Sequence, residues 1–377
     1  MRTRAAVLHE YGAPLELLEV ELDAPRAGEL LVRVAAAGVC HTDLHLADGH
    51  LGAGRHPIVL GHEGAGIVEA VGQGVSHVGP GDPVAFCFVP ACGECRACAA
   101  GRRNLCETAD AAAFAGTMLD GSSRLRLDGG AAVQHFNFVS CFAERCVVPA
   151  ACAVPIPPDL PLWQAALIGC GVVTAVGAVR NAARVGAGET VCVIGCGGIG
   201  LQLVAAARLA GAGRVIAVER DEAKLALALA RGASDGVRAG AGEDTVAAVL
   251  ALAPGGVDHA FEAVGSAATI RLAWDVLRPG AAATVVGITP AGVEFALPAL
   301  ELLSEKGIRG SYYGSGDPVG LLSSMAELTA AGGFSVADVV THVTDLDGVD
   351  EAFARLRAGE GARTIVLVDA ELAGYDR

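Results

Sequence analysis

Apolar and polar positions alternate along this chain in two different rhythms. Through the first part, residues 5–8, 29–34 and 65–71 form short runs of Ala, Val, Leu and Ile set between Gly and Pro. Runs of this length between turn-forming residues predict strands, and together they suggest a barrel-like or irregular β domain. Near residue 162 the texture changes, and residues 163–168 and 175–183 read as helix. From residue 190 the order becomes regular: a strand over 191–194, a helix over 198–210, a strand over 215–218 and a helix over 222–231. Strand-like segments recur at 259–262 and 283–286. Strands alternating with helices predict βαβ units and a parallel sheet. Past residue 311 the chain mixes helix with a final strand over 364–368, a stretch that need not join that sheet.

With 377 residues the chain is long enough for two to three domains, at about 150 residues each. A net charge of −15 argues against nucleic-acid binding, which needs clustered positive charge. No apolar run reaches the roughly 20 residues that span a bilayer; the longest, 165–179, is interrupted by Gly169, Gly171 and Gly177 and ended by Arg180. Residues 1–8 enter a strand-like pattern without the marks of a signal peptide. A soluble cytoplasmic protein acting on a small molecule is expected. In a reducing compartment, cysteines at regular spacing bind metal more often than they form disulfides. Cys87, Cys141, Cys146, Cys152, Cys192 and Cys196 lack such spacing and read as small buried hydrophobes.

Three constellations carry chemistry. Cys92, Cys95, Cys98 and Cys106 are spaced C-x2-C-x2-C-x7-C, with Gly93 and Gly101 to let the loop curl. Four thiolates packed this tightly suit one tetrahedral zinc. Gly195-x-Gly197-Gly198-Ile199-Gly200 follows an apolar strand and opens an apolar helix. The glycines allow a tight turn, close approach of a pyrophosphate and helix–strand packing, and the anion sits on the helix N-terminus. Glu219 follows about twenty residues on, where a carboxylate accepts from ribose hydroxyls and repels a 2′-phosphate. That favours NAD over NADP, although neighbouring Arg220 is a group that can hold a 2′-phosphate. Cys40, His62 and Cys170 are scattered soft ligands, and a Cys2His set with an exchangeable water is a catalytic zinc arrangement. Zinc lowers the pKa of a bound hydroxyl and steadies the alkoxide, so the combination points to zinc-assisted hydride transfer.

The motifs Gly38-Val39-Cys40-His41-Thr42-Asp43-x-His45, Gly61-His62-Glu63-Gly64, the four-cysteine lobe, Gly169-Cys170-Gly171-Val-Val-Thr174 and the Gly195 loop occur in one order. In that order the chain resembles, over nearly its whole length, the zinc-dependent alcohol dehydrogenases of the medium-chain dehydrogenase/reductase family. The resemblance implies a catalytic zinc on Cys40, His62 and Cys170. It implies a structural zinc on Cys92, Cys95, Cys98 and Cys106, in a lobe at about residues 90–108. Two zinc ions and one NAD per chain are therefore expected. Asp43 would orient His62, and Glu63 would be a carboxylate able to approach the metal. Thr42 would bond the substrate oxygen, and His45 would pass the proton to solvent through the cofactor ribose. His41 and Arg363 match pyrophosphate contacts and Lys224 an adenosine-ribose contact. Thr174, Val264, Val286 and Ile288 match other cofactor positions, with Val264 at the nicotinamide end. Phe88, Phe136 and Ile288 match the substrate channel.

The implied architecture is α/β. A GroES-like β-rich catalytic domain takes residues 1–172 and 314–377. A Rossmann domain with a doubly wound parallel sheet takes 173–313, and the active site lies in the cleft between them. Residues 111–134 match an insertion of the dimeric members and imply a homodimer formed edge to edge through the Rossmann sheets; their Gly-rich texture also suits a mobile surface loop. The implied reaction moves a hydride between NAD and a hydrophobic primary alcohol or aldehyde, aliphatic, aryl or terpenoid. Three alternatives stand beside it. One is a formaldehyde dehydrogenase acting on a glutathione- or mycothiol-type adduct, for which no Arg or Lys cluster presents itself. The second keeps NAD permanently bound, as the flavour of residues 306–316 suggests. The third is a non-catalytic zinc and nucleotide binder, against which the complete ligand set counts. A zinc-free quinone or enoyl reductase would need neither metal set.

Overall fold

The computed structural model describes residues 1–51, 56–240 and 244–375. The chain divides into two compact units, Met1–Cys170 with Asp317–Arg377, and Gly171–Gly316. The boundaries differ from the expected 172/173 and 313/314 by two or three residues, because the helical run that leaves the first unit continues unbroken into the second.

The first unit is organised by one long strand, Glu29–Val39, buried everywhere except Arg33. Glu63–Val71 pairs antiparallel along one of its edges. Arg145–Pro149 and Arg363–Leu367 pair antiparallel with the early and late parts of its other edge. The expectation of a strand over 29–34 is too short. Ala35, Ala36, Ala37 and Gly38 are poor strand formers alone, and pairing on both sides holds them extended. A small closed barrel completes the unit, from Arg2–Leu8, Glu16–Leu22, Leu125–Arg126, Ala132–His135 and Ile58–Val59. Val7, Val20, Leu22, Val59, Met118, Leu125 and Val133 fill it. Residues 111–134 are thus no free surface loop, since they contribute one barrel strand and part of another. Arg124 in this segment is fully buried and bonds Glu29 through two guanidinium nitrogens and Asp120 at 2.8 Å. A buried guanidinium is tolerable only when so paired, and the pairing pins the segment in place.

The second unit is a six-stranded parallel sheet. Its strands are Thr190–Ile194, Arg214–Glu219, Asp235–Arg238, Val257–Glu262, Leu277–Val285 and Gly307–Gly310, in the spatial order third, second, first, fourth, fifth, sixth. That is the order of a dinucleotide-binding fold, whose crevice lies at the carboxyl ends of the first and fourth strands, where the strand order reverses. Central strands such as Thr190–Ile194 are apolar almost throughout because helices cover both faces. The two edge strands escape sequence reading: Asp235–Arg238 and Gly307–Gly310 each contain one large apolar residue, Val237 and Ile308.

One expectation is corrected here. The helical run Leu162–Ala183 has 22 residues and is apolar enough to pass the length test for crossing a membrane. Its glycines do not interrupt it. Gly169 is needed there because a Cβ would stand 2.4 Å from the carbonyl oxygen of Phe86. The most apolar stretch of this run is 89% buried inside the protein, as befits a core helix.

Candidate functional site

Strand pairing and one helix start assemble the first cluster. Cys40 ends the long strand and caps helix His41–Ala47, its Sγ accepting from the Thr42 N–H at 3.5 Å. His62 and Glu63 stand at the start of the neighbouring strand, and Cys170 lies in the π-helical turn Ile168–Val172. π-turns inside α-helices frequently mark functional positions, because they re-aim one side chain without ending the helix. The donor atoms of Cys40, His62, Glu63 and Cys170 lie within 4.8 Å of one another, and all four residues are buried.

The donors fit a metal ion. Asp43, fully buried, accepts from the Gly61 N–H at 2.9 Å and faces His62 Nδ1 at 3.2 Å. That bond puts the imidazole proton on Nδ1 and leaves the lone pair on Nε2. His62 Nε2 is buried with no hydrogen-bond partner among the described residues, an orphan that a metal would satisfy. The neighbouring Cys170 thiol, and then His62, hold the Cys40 thiol well below its ordinary value against the penalty of burial. Burial alone would lower the pKa of His62, yet Asp43 and Cys40 outweigh it and raise it to about 10. The local field is therefore strongly negative, as a cation site requires. Phe88 and Phe136 stand edge-on to the His62 ring, with centroids at 5.1 and 5.4 Å.

Arg363 has a role that sequence reading missed. Expected as a pyrophosphate contact, it is nearly buried and ion-paired with Glu63. Only its remaining N–H groups are left for a pyrophosphate. The pair needs Gly38, where a Cβ would stand 2.4 Å from Glu63 Oε2 and 2.9 Å from Arg363 Nη2. On helix His41–Ala47, His41 is exposed, Thr42 Oγ1 lies 3.5 Å from Cys40 Sγ, and half-buried His45 faces His50.

The second cluster is the four-cysteine lobe, whose sulfurs also lie within 4.8 Å of one another. Backbone amides support them: the Cys92 N–H donates to Cys106 Sγ and the Cys95 N–H to Cys92 Sγ, both at 3.3 Å. The Cys98 N–H donates to Cys95 Sγ at 3.5 Å. Backbone amides of Cys95 and Glu94 lower the Cys92 thiol to about 6, whereas burial pushes Cys98 up to about 12. A cluster in which some thiols ionise readily and the last resists is completed by a cation.

In the second unit, Gly195 turns the chain with φ +90° and Gly197 caps helix Gly198–Leu209. A Cβ at Gly200 would stand 1.7 Å from the Gly195 carbonyl oxygen, so helix and strand meet there without side chains. Glu219 accepts from Cys196 N–H at 2.7 Å through one oxygen and from the amides of Arg220 and Asp221 through the other. Lys224 sits in the first turn of helix Glu222–Ala230, and Thr174 in helix Val173–Gly177. Val264 is half exposed, Ile288 is 38% exposed, and Val286 N–H donates to the Glu262 carbonyl at 2.8 Å. Glu262 was missed by sequence reading. Fully buried at the end of the fourth strand, it accepts from Val264 N–H, Gly265 N–H and Thr269 Oγ1 at 2.7–2.8 Å. A carboxylate closing the apolar end of that strand, three residues before Gly265, was the available signal.

Residues 26–158 match the family model described as alcohol dehydrogenase GroES-like domain, and residues 198–331 that described as zinc-binding dehydrogenase. An S-(hydroxymethyl)glutathione dehydrogenase of Photobacterium damsela subsp. piscicida is 37% identical over 97% of this chain and 100% of its own length. The crystal structure of benzyl alcohol dehydrogenase from Acinetobacter calcoaceticus is similar with a TM-score of 0.92 at 31% identity, covering 98% of this chain and 99% of that one. A protein from Sinorhizobium meliloti, described as a zinc-binding dehydrogenase bound to NADP, has a TM-score of 0.81 at 29% identity, covering 97% of this chain and 99% of that one.

Proposed function

Since the chain belongs to the zinc-dependent alcohol dehydrogenases of the medium-chain dehydrogenase/reductase family, we propose that it interconverts hydrophobic primary alcohols and aldehydes with NAD. The family's zinc and nicotinamide dinucleotide are its cofactors. The observation that carries the substrate class is the Cys40–His62–Cys170 cluster with Phe88 and Phe136 edge-on to its imidazole.

Cys40, His62 and Cys170 would hold the catalytic zinc, and the four-cysteine lobe the structural one. Zinc supplies a Lewis acid that lowers the pKa of a coordinated hydroxyl. Asp43 keeps the His62 lone pair aimed inward, and the Glu63–Arg363 pair keeps a carboxylate beside the donors without an uncompensated charge. Phe88 and Phe136 present an apolar wall that favours alkyl or aryl chains and keeps water away. Thr42 orients the substrate hydroxyl, and His45 takes its proton. The carboxylate of Glu219 has acceptor capacity beyond its three amide bonds, enough for ribose hydroxyls, and it repels a 2′-phosphate. A homodimer is part of this reading. Leu300 and Leu303 are 79% and 81% exposed beside the edge strand Gly307–Gly310, which is the kind of apolar edge a second copy covers.

The relatives named S-(hydroxymethyl)glutathione dehydrogenase favour a second reading, oxidation of a thiol–formaldehyde adduct. NADH absorbance separates the two, and zinc content, expected to be the same for both, checks that the enzyme is loaded. The purified chain is offered NAD or NADP with alcohols from ethanol to hexanol, benzyl alcohol and terpenoid alcohols, and separately formaldehyde with glutathione. Two zinc per chain and turnover rising with alcohol hydrophobicity support the first reading. Turnover only with the adduct moves the assignment to the second. Aldehyde reduction coupled to alcohol oxidation without NADH release identifies a permanently held cofactor.

A further inference from the structure

Three histidines follow one another along helix His41–Ala47 and the turn after it. The His41 and His45 rings have centroids 6.3 Å apart, and the His45 and His50 rings 5.6 Å apart. His45 Nδ1 and His50 Nδ1 are 3.4 Å apart, within hydrogen-bond reach. The backbone builds this contact: the helix ends at Asp48, the chain turns at Gly49 with φ +78°, and the His50 N–H donates to the His45 carbonyl at 2.8 Å. Tyr11 packs over Gly49, and Arg357 holds Asp48 at 2.8 Å. His45 is half-buried, whereas His50 is exposed.

We propose that His50 is a second relay residue, which takes at Nδ1 the proton that His45 releases and hands it to solvent. This inference rests on the reading of His45 as the group that receives the substrate proton. Each alcohol oxidised liberates one proton. His45 gains it at Nε2 and gives up its Nδ1 hydrogen to His50 Nδ1. His50, now an imidazolium, returns to neutral by passing one proton to water or buffer, so no further reactant is consumed. An exposed imidazole within hydrogen-bond reach of His45 is placed to exchange that proton with solvent. Among the described residues, the charged and titratable groups placed about the pair are Asp48 with its partner Arg357, His41 and Cys40, and Tyr11 packs over Gly49. Asp48 favours the imidazolium forms and is itself shared with Arg357.

The test is stopped-flow NADH formation in a single turnover of the zinc- and NAD-loaded enzyme with benzyl alcohol. Wild type, His45→Gln, His50→Gln and the double variant are compared across pH 6–9, with and without added imidazole. NADH affinity by fluorescence and zinc content are measured in parallel. His50→Gln is expected to slow the step about threefold to tenfold, less than the roughly hundredfold that loss of a whole general base costs. The double variant should match His45→Gln alone, because both residues serve one path, and imidazole should restore His50→Gln. A His50→Gln rate equal to wild type beside a slowed His45→Gln overturns the inference and leaves its premise standing. A His45→Gln rate equal to wild type removes the premise and the inference together. Slowing of His50→Gln with weakened NADH affinity and no imidazole rescue makes His50 a structural prop and also overturns it.

Discussion

The two sulfur clusters of the first unit are built on opposite plans. In the lobe, four cysteines within a fifteen-residue span curl round one point, and their own backbone amides support the sulfurs. In the other cluster, Cys40, His62 and Cys170 arrive from two strands and a helix, and every donor is buried. Beyond its three soft ligands that cluster adds Glu63, already engaged by Arg363, and it is walled by Phe88 and Phe136. Four thiolates close a coordination shell, whereas three soft donors and a restrained carboxylate leave a place for a fourth, exchangeable group. The difference teaches that a local cluster serves stability, and that a cluster assembled from distant strands can be poised for chemistry.

The sharpest way to break this contrast is to remove one ligand from each cluster. Cys40→Ala should cost several kcal/mol of transition-state stabilisation, roughly a thousandfold in kcat or more, because a Lewis acid is lost. NADH titration by fluorescence should stay unchanged, and zinc content should fall by one per chain. Equal loss of NADH binding would mean that the cluster is structural. Cys98→Ser should do the reverse. Denaturant unfolding should show the first unit weakened by several kcal/mol, since structural zinc binding is folding free energy. Turnover per folded molecule should remain near wild type.

A smaller effect tests the support beneath the catalytic cluster. Asp43→Asn removes the carboxylate that fixes the His62 tautomer, and zinc affinity should fall about tenfold to a hundredfold in a chelator competition. The same substitution has no counterpart in the lobe, where backbone amides perform the supporting role. The smallest effect concerns pH. Burial first, then His50, holds the His45 pKa below its ordinary 6.5. On the proposed relay His45 accepts a proton only when neutral, so kcat/KM for alcohol oxidation should fall in acid solution, at lower pH than an ordinary imidazole would give. In His45→Gln that acid limb should disappear; its persistence would assign the limb to another group.

Much of the site was legible because it is written in contiguous stretches. The lobe and the Gly195 loop are each a few residues long, and their chemistry follows from spacing and from backbone demands at glycine. The sheet domain was legible in its central strands, whose burial on both faces leaves unbroken apolar runs. Its edges, Asp235–Arg238 and Gly307–Gly310, were not, because a strand covered less fully needs fewer apolar residues. The Arg363–Glu63 pair was not legible for a related reason. The two are 300 positions apart, and the pairing of Arg363–Leu367 and of Glu63–Val71 with Glu29–Val39 brings them together.

By itself, then, the sequence determined the candidate soft donors, the glycine loop, the βαβ order and the family to which they belong. Each of these is a property of neighbouring residues or of hydrophobic period. Tertiary structure alone decided that His62 Nε2 is among the orphaned atoms of the described residues, that Glu63 is restrained by Arg363, and that Gly38 makes room for both. It also decided that a 22-residue apolar helix is core and that residues 111–134 are bound into a barrel. The physical reason is the same throughout. Burial, desolvation and charge pairing depend on what the fold brings within a few ångströms, and residues far apart in the chain carry no local signal of that meeting.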